Sequence, residues 1–205
     1  MLALLSTVQS LPDGDERAAL ERALVPLARD AALGALAPGL AHDAGNALFG
    51  LVGLLGLIDD GAVVSRERID LLRQSADGLD AVLRPALEFV RATRDDRPTA
   101  DLAAAARLAV ALYAHGDHPP LDARIPDGEV AVACPAALVQ QATIQVLLAV
   151  TPADRVTVEL AGPELRISPA GAETLDELVA RRIAIDHGGG LERDGETLRL
   201  HLPPA

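Results

Sequence analysis

The stretch Leu33–Ile58, LGALAPGLAHDAGNALFGLVGLLGLI, decides how the rest of the chain is read. Leu33, Leu36, Leu40, Ala44, Ala47, Leu51, Leu54 and Ile58 recur at alternating three- and four-residue steps, the spacing that lines side chains along one stripe of a helix. His42 lies off that stripe. At about 100° per residue it points nearly away from Leu40, whereas Asn46, Phe49, Gly53 and Gly56 fall near its own face. The spacing predicts a long helix that buries one side and presents a histidine on the other.

A second stripe answers the first. In SRERIDLLRQSADGLDAVLRPALEFVRATR, Ser65 suits a helix N-cap and Glu67 stands near the capping-box position. Ile69, Leu72, Ala76, Leu79, Leu83, Ala86 and Val90 then repeat at the spacing of a coiled-coil seam. The two helices read as an antiparallel hairpin with a short loop at Asp59-Asp60-Gly61 between them. One hairpin covers a single side of each stripe, so two copies pairing as a four-helix bundle predict a homodimer.

Upstream, Leu11-Pro12-Asp13-Gly14-Asp15 is a turn, Asp15 caps a helix through ERAALERALVPLARDAAL, and Pro26 and Pro38 are expected to bend it, since each removes a backbone donor. Downstream, Arg94-Asp95-Asp96-Arg97-Pro98 is polar and ends in proline, which places a boundary between residues 1–97 and 98–205. Helices are expected at Thr99–Ala114, from Pro135 to about Val150, and at Glu173–Asp186. Short strands are expected at Leu121–Ile125, Glu129–Val132, Arg155–Leu160 and Leu165–Ser168, with a closing hairpin over Leu191–Leu202 that turns at Asp194-Gly195. The class is α+β: a helical hairpin followed by a small α/β two-layer sandwich.

Composition excludes several functions. The chain has 205 residues, half of them hydrophobic, with only Phe49, Phe89 and Tyr113 aromatic, so the core must be Leu, Val, Ile and Ala. A net charge of −12 with no lysine argues against a nucleic-acid surface, which needs clustered basic groups. The single cysteine, Cys134, fits a reducing cytoplasm and reads as packing. The first residues lack a basic n-region, and Asp43 and Asn46 interrupt the one run that approaches the ~20 apolar residues of a membrane span. The expectation is a cytoplasmic protein that takes its input from another protein.

The chemistry concentrates at His42. An imidazole in its neutral form is a nucleophile toward phosphorus. Asp43 is suited to hold the ring tautomer or to stabilise a positive phosphoimidazole, and Asn46 lies one turn away. His115 and His118 flank Asp117 in a loop without a third metal ligand in register, and His187-Gly188-Gly189-Gly190 reads as the turn between a helix and a strand.

GLAHDAGNALFGLVGLLGLI resembles the H-box helix of two-component histidine kinases and of the related histidine phosphotransferases, in which His-Asp/Glu-x-x-Asn sits on the first helix of a dimerising hairpin. LVQQATIQVLLAVTPADRVTVEL and LVARRIAIDHGGGLERDGETLRLHLP resemble two parts of the ATP-binding domain of the same kinases. The departures matter as much. Ile144 and Leu148 stand where the kinases place asparagines that coordinate magnesium and ATP phosphates, and aliphatic side chains supply no oxygen ligand. Ser168-Pro169-Ala170-Gly171 lacks the family's adenine-binding carboxylate, and the ATP lid is missing. The resemblance therefore implies a phosphotransferase with a degenerate ATP-binding domain: His42, Asp43 and Asn46 catalytic, and Phe49, Gly53 and Gly56 a docking face. The implied partners are response-regulator receiver domains, which bring the magnesium ion, so no cofactor or metal is expected on this chain. An ATP-dependent kinase and a non-catalytic dimeric scaffold of the same fold are the alternatives.

Overall fold

The computed structural model describes residues 2–59, 65–92, 95, 97–115, 118–150 and 155–205. It opens with α1 (Leu2–Ser10), which no sequence pattern had announced, followed by α2 (Asp15–Asp59) and α3 (Arg66–Arg91). α2 is one continuous helix of 45 residues, roughly 68 Å long at 1.5 Å per residue, and it contains Pro26 and Pro38, the positions where bends were expected. A proline costs a helix one hydrogen bond and some strain, and tertiary packing supplies compensation here: Val25, Ala28, Ala32 and Leu36 lie in or against the core. α3 starts as its capping residue predicts, with Ser65 Oγ accepting from Arg68 N–H at 3.3 Å. The connecting turn at Asp60-Gly61 lies outside the described residues.

The stripe on α2 is realised. Leu36 is buried, Leu33, Leu40, Ala44, Ala47, Leu51 and Leu54 are half-buried, and His42, Asn46, Leu48, Phe49 and Val52 face outward. Gly50 marks the close approach to α3, because a Cβ there would meet Ser75 Oγ at 3.0 Å. On α3 the apolar residues divide into two neighbouring stripes where one seam was expected. Leu72, Leu79, Val82, Ala86 and Phe89 turn inward, while Ile69, Ala76, Leu83, Leu87 and Val90 stay exposed. A helix of 3.6 residues per turn drifts across a strict seven-residue pattern, so a short straight helix shares that pattern between two directions.

The α/β part follows as β1 (Ala100–Asp101), α4 (Leu102–Tyr113), β2 (Leu121–Arg124), β3 (Ala131–Val132), α5 (Ala136–Leu148), β4 (Val156–Ala161), β5 (Glu164–Ser168), α6 (Leu175–Asp186), β6 (Gly190–Asp194) and β7 (Thr197–His201). Five strands form a mixed sheet in the order β2-β4-β5-β7-β6, with β2 and β4 parallel and the other pairs antiparallel. Alternation places Val156, Val158, Leu165, Ile167, Leu198 and Leu200 in the core beneath the helices. Asp101 caps α4 by accepting from Ala103 N–H, and Thr174 caps α6 by accepting from Glu177 N–H. Gly195, at φ +58°, turns the final hairpin where expected, since that left-handed conformation suits glycine. The class is α+β.

One core runs through the described residues. Leu5 and Val8 of α1 and Leu24, Ala28, Ala32 and Leu36 of α2 join the same cluster as α4, α5 and α6. Polar contacts reinforce that joint: Gln141 and Gln145 on α5 donate to the α2 carbonyls of Val25 and Ala28, the second at 2.8 Å. Arg22 pairs with Asp186 and Arg182 with Glu21 between α2 and α6. Arg29 stands where three helices meet: it donates to Ala137 O on α5 at 3.1 Å and to Phe89 O on α3, and its guanidinium lies 4.3 Å from the centre of the Phe89 ring. Burial lowers the Arg29 pKa from its ordinary value, the signature of a cation drawn partly out of water. The N-terminal half of α2 is thus clamped to the α/β layer, and its C-terminal half projects with α3 as the hairpin.

Candidate functional site

His42 lies on the outer face of α2, exposed as the helical phase requires. Its Nε2 is 3.1 Å from Asn46 Nδ2, one turn along the same face. With the amide nitrogen as donor, Nε2 accepts and so carries the ring's lone pair, which puts the proton on Nδ1. In that tautomer the Nε2 lone pair is the nucleophile once the Asn46 amide turns off it, and the freed amide can donate to an incoming oxyanion.

Asp43 is placed differently from its partner on the sequence motif. A rotation of about 100° carries it toward the α/β unit, where its Oδ2 sits 2.8 Å from Nδ1 of His115. The Asp43 side chain is 35% exposed and that of His115 16%. The partner of the His42 ring is therefore Asn46, and the partner of Asp43 is a histidine 72 residues away. His115 carried no signal for this role beyond being a histidine in the loop after α4.

Phe49 is 81% exposed, and Val52, Leu48 and Leu55 around it are about half to two-thirds exposed. Gly53 and Gly56 open onto clear space, for a Cβ at either would meet nothing within 4 Å. The structure brings His42, Asn46, Phe49, Gly53 and Gly56 onto the outward side of α2. On the other side of the hairpin Leu51, Ala76, Leu79, Leu83, Leu87 and Arg91 line a groove of about 460 Å³.

Ile144 is fully buried in the core, and Leu148 packs against that core. Among the described residues no group of three or more His, Cys, Asp or Glu side chains is placed to hold a metal ion. His115 is engaged by Asp43, while His118 stacks on Tyr113 with ring centres 4.3 Å apart. Asp117 lies outside the described residues. Near the start of α6 the Glu177 carboxylate, 1% exposed, is held by Arg181 at 2.8 Å and by Arg193 from β6. This arrangement neutralises the buried charge and ties helix to sheet.

No protein-family model matches the chain, and no curated protein matches it. Among solved structures, the chain is similar to a bacterial phosphotransferase at 18% identity and a TM-score of 0.41, over 82% of this chain and 94% of that one. It is also similar to the histidine kinase AdeS of Acinetobacter baumannii at 14% identity and a TM-score of 0.36, over 78% of this chain and 98% of that one. A histidine kinase from Burkholderia phymatum STM815 is similar at 17% identity and a TM-score of 0.34, over 94% of this chain and 100% of that one.

Proposed function

We propose that the chain is a cytoplasmic histidine phosphotransferase of a two-component phosphorelay, which passes a phosphoryl group through His42 to or from aspartates of response-regulator receiver domains. The observation that carries the reading is the exposed His42 ring with Nε2 set 3.1 Å from Asn46, on a helix face that continues into Phe49, Gly53 and Gly56. The Nε2 lone pair forms a bond to phosphorus as the bond from phosphorus to the aspartyl oxygen breaks. The electron pair leaves with the aspartate carboxylate, and the ring is left as a phosphoimidazolium with its proton on Nδ1, which water then takes. The receiver brings the magnesium ion that neutralises the phosphoryl oxygens, so this chain contributes mainly position and a fixed nucleophile.

The same reading accounts for the second exposed stripe. Ile69, Leu83, Leu87 and Val90 of α3, with Leu48, Val52 and Leu55 of α2, are apolar and open to solvent, and a second copy packing hairpin on hairpin covers such surface as a four-helix bundle. α2 is also long and apolar enough to cross a membrane by length and composition. We assign that apolar surface to the dimer and the receiver, because Asp43 and Asn46 interrupt it.

The test mixes the purified protein with a panel of receiver domains charged by radiolabelled acetyl phosphate. Acid-labile, base-stable label on the chain, lost in His42→Ala, is the expected result. Label that persists in His42→Ala refutes the assignment. Self-labelling from ATP and magnesium without any receiver makes the chain a kinase instead.

A further inference from the structure

We infer that His115, contributed by the α/β unit, is a positioning residue for the chemistry at His42, acting through the carboxylate of Asp43. The inference rests on the phosphotransfer reading above but adds a residue outside the hairpin to its site.

Three observations converge on it. The first is geometric. His115 Nδ1 stands 2.8 Å from Asp43 Oδ2, a short hydrogen bond to a charged acceptor. The second is the anchoring of the donor. His115 follows α4 directly, its own N–H donates to Leu112 O at 3.4 Å, and Leu112 and Tyr113 beside it are buried in the core. A carboxylate on a helix face samples several rotamers, and a bond from a ring that is itself only 16% exposed narrows that freedom. The third is the choice of partner. Among the described residues every other ion-paired carboxylate is paired with arginine, which cancels its charge; Asp43 alone is held by an imidazole. The imidazole meets one carboxylate oxygen, Oδ2, through a single ring nitrogen, and so orients the carboxylate.

A fixed anion one residue from His42 is useful at one moment. When Nε2 bonds to phosphorus, the imidazole becomes positive, and a preorganised negative charge nearby stabilises that state without reorganisation. His115 thereby couples the reactivity of His42 to the seating of the α/β unit against α2, which a free-standing hairpin does not possess.

The experiment uses potassium phosphoramidate as phosphoryl donor on the full chain, so that no partner need be known. His42 Nε2 attacks phosphorus, the P–N bond breaks, and ammonia leaves with a proton. The rate is read as label on the peptide that contains His42. His115→Ala is expected to slow it about fivefold, the factor that corresponds to the net worth of one hydrogen bond. His115→Asn, which keeps a donor near the Nδ1 position, is expected to restore most of the rate. In an Asp43→Ala background His115→Ala is expected to add nothing, because the residue acts through that carboxylate. A thermal melt of each variant separates lost packing from lost positioning. An unchanged rate in His115→Ala, or an equal loss with and without Asp43, overturns the inference and leaves the phosphotransfer reading intact. Receivers that label His42→Ala overturn that reading itself. If His115→Ala does not fold, Asp43→Asn decides: a wild-type rate there removes the role of the carboxylate and the inference with it.

Discussion

Replacing Arg29 by Met tests the joint between the hairpin and the α/β layer, and the structure sets the size of the effect. The guanidinium makes a 3.1 Å bond to Ala137 O, a second bond to Phe89 O, and lies 4.3 Å over the Phe89 ring. Hydrogen bonds from a charged donor contribute about 1.5–3 kcal/mol each, and a partly desolvated cation over an aromatic ring about 0.5–2 kcal/mol. Burial opposes them, as the lowered pKa of Arg29 shows. Both carbonyls also belong to helices, which reduces the cost of losing the arginine. Methionine keeps much of the stem's packing. The net loss is therefore placed at about 2 kcal/mol, near the value of one charged bond. For a chain of this size that corresponds to a fall in Tm of roughly 4–8 °C. Circular dichroism melts and urea titrations measure it, and Arg29→Lys is expected to recover less than half, because an ammonium lacks the planar fork that reaches two carbonyls while stacking on a ring. A shift below about 1 °C for Arg29→Met would refute the view that this residue clamps α2, α3 and α5 together.

Gly53→Ala is expected to raise stability by up to about 1 kcal/mol, since alanine is the better helix former and its Cβ meets nothing within 4 Å; a melt that falls would show an unsuspected contact. Phe49→Asp is expected to leave Tm nearly unchanged, because the ring is 81% exposed, while label transfer from receivers drops; unchanged transfer removes Phe49 from the docking face. Light scattering is expected to report a dimer at micromolar concentration and a monomer for the Leu83→Glu, Val90→Glu variant, and a wild-type monomer would refute the bundle. Burial pushes the Cys134 thiol up to about 12 from an ordinary 9.0, so it is expected to react with a thiol reagent only after unfolding. The sign of the linkage follows: the unfolded thiol ionises first, so this contribution is fully present below about 9 and is lost as pH rises toward 12. Rapid labelling of the folded protein at pH 8 would contradict its burial.

The placement of the candidate residues on α2 was legible because its signals are local. Helical phase alone puts His42 and Asn46 on one face and Leu36, Leu40 and Ala44 on another, and the structure keeps that division. Ser65 and Gly195 perform their expected tasks for the same reason, since a cap or a tight turn is settled within a few residues. Local rules are not the whole account, because distant parts of the chain support what they disfavour. Pro26 and Pro38 break helices in isolation, yet α2 continues through both with its N-terminal half packed against α5 and α6.

The sequence by itself determined the class of the molecule, the hairpin, and a histidine aimed away from an apolar stripe, because periodicity, caps and turn chemistry act over a few residues. Only the tertiary structure decided what Asp43 contacts. Nothing in its neighbourhood distinguishes a carboxylate that steadies the preceding residue's ring from one that reaches a histidine 72 positions away. That choice depends on where the end of α4 comes to rest beside α2, and the packing of one shared core settles it.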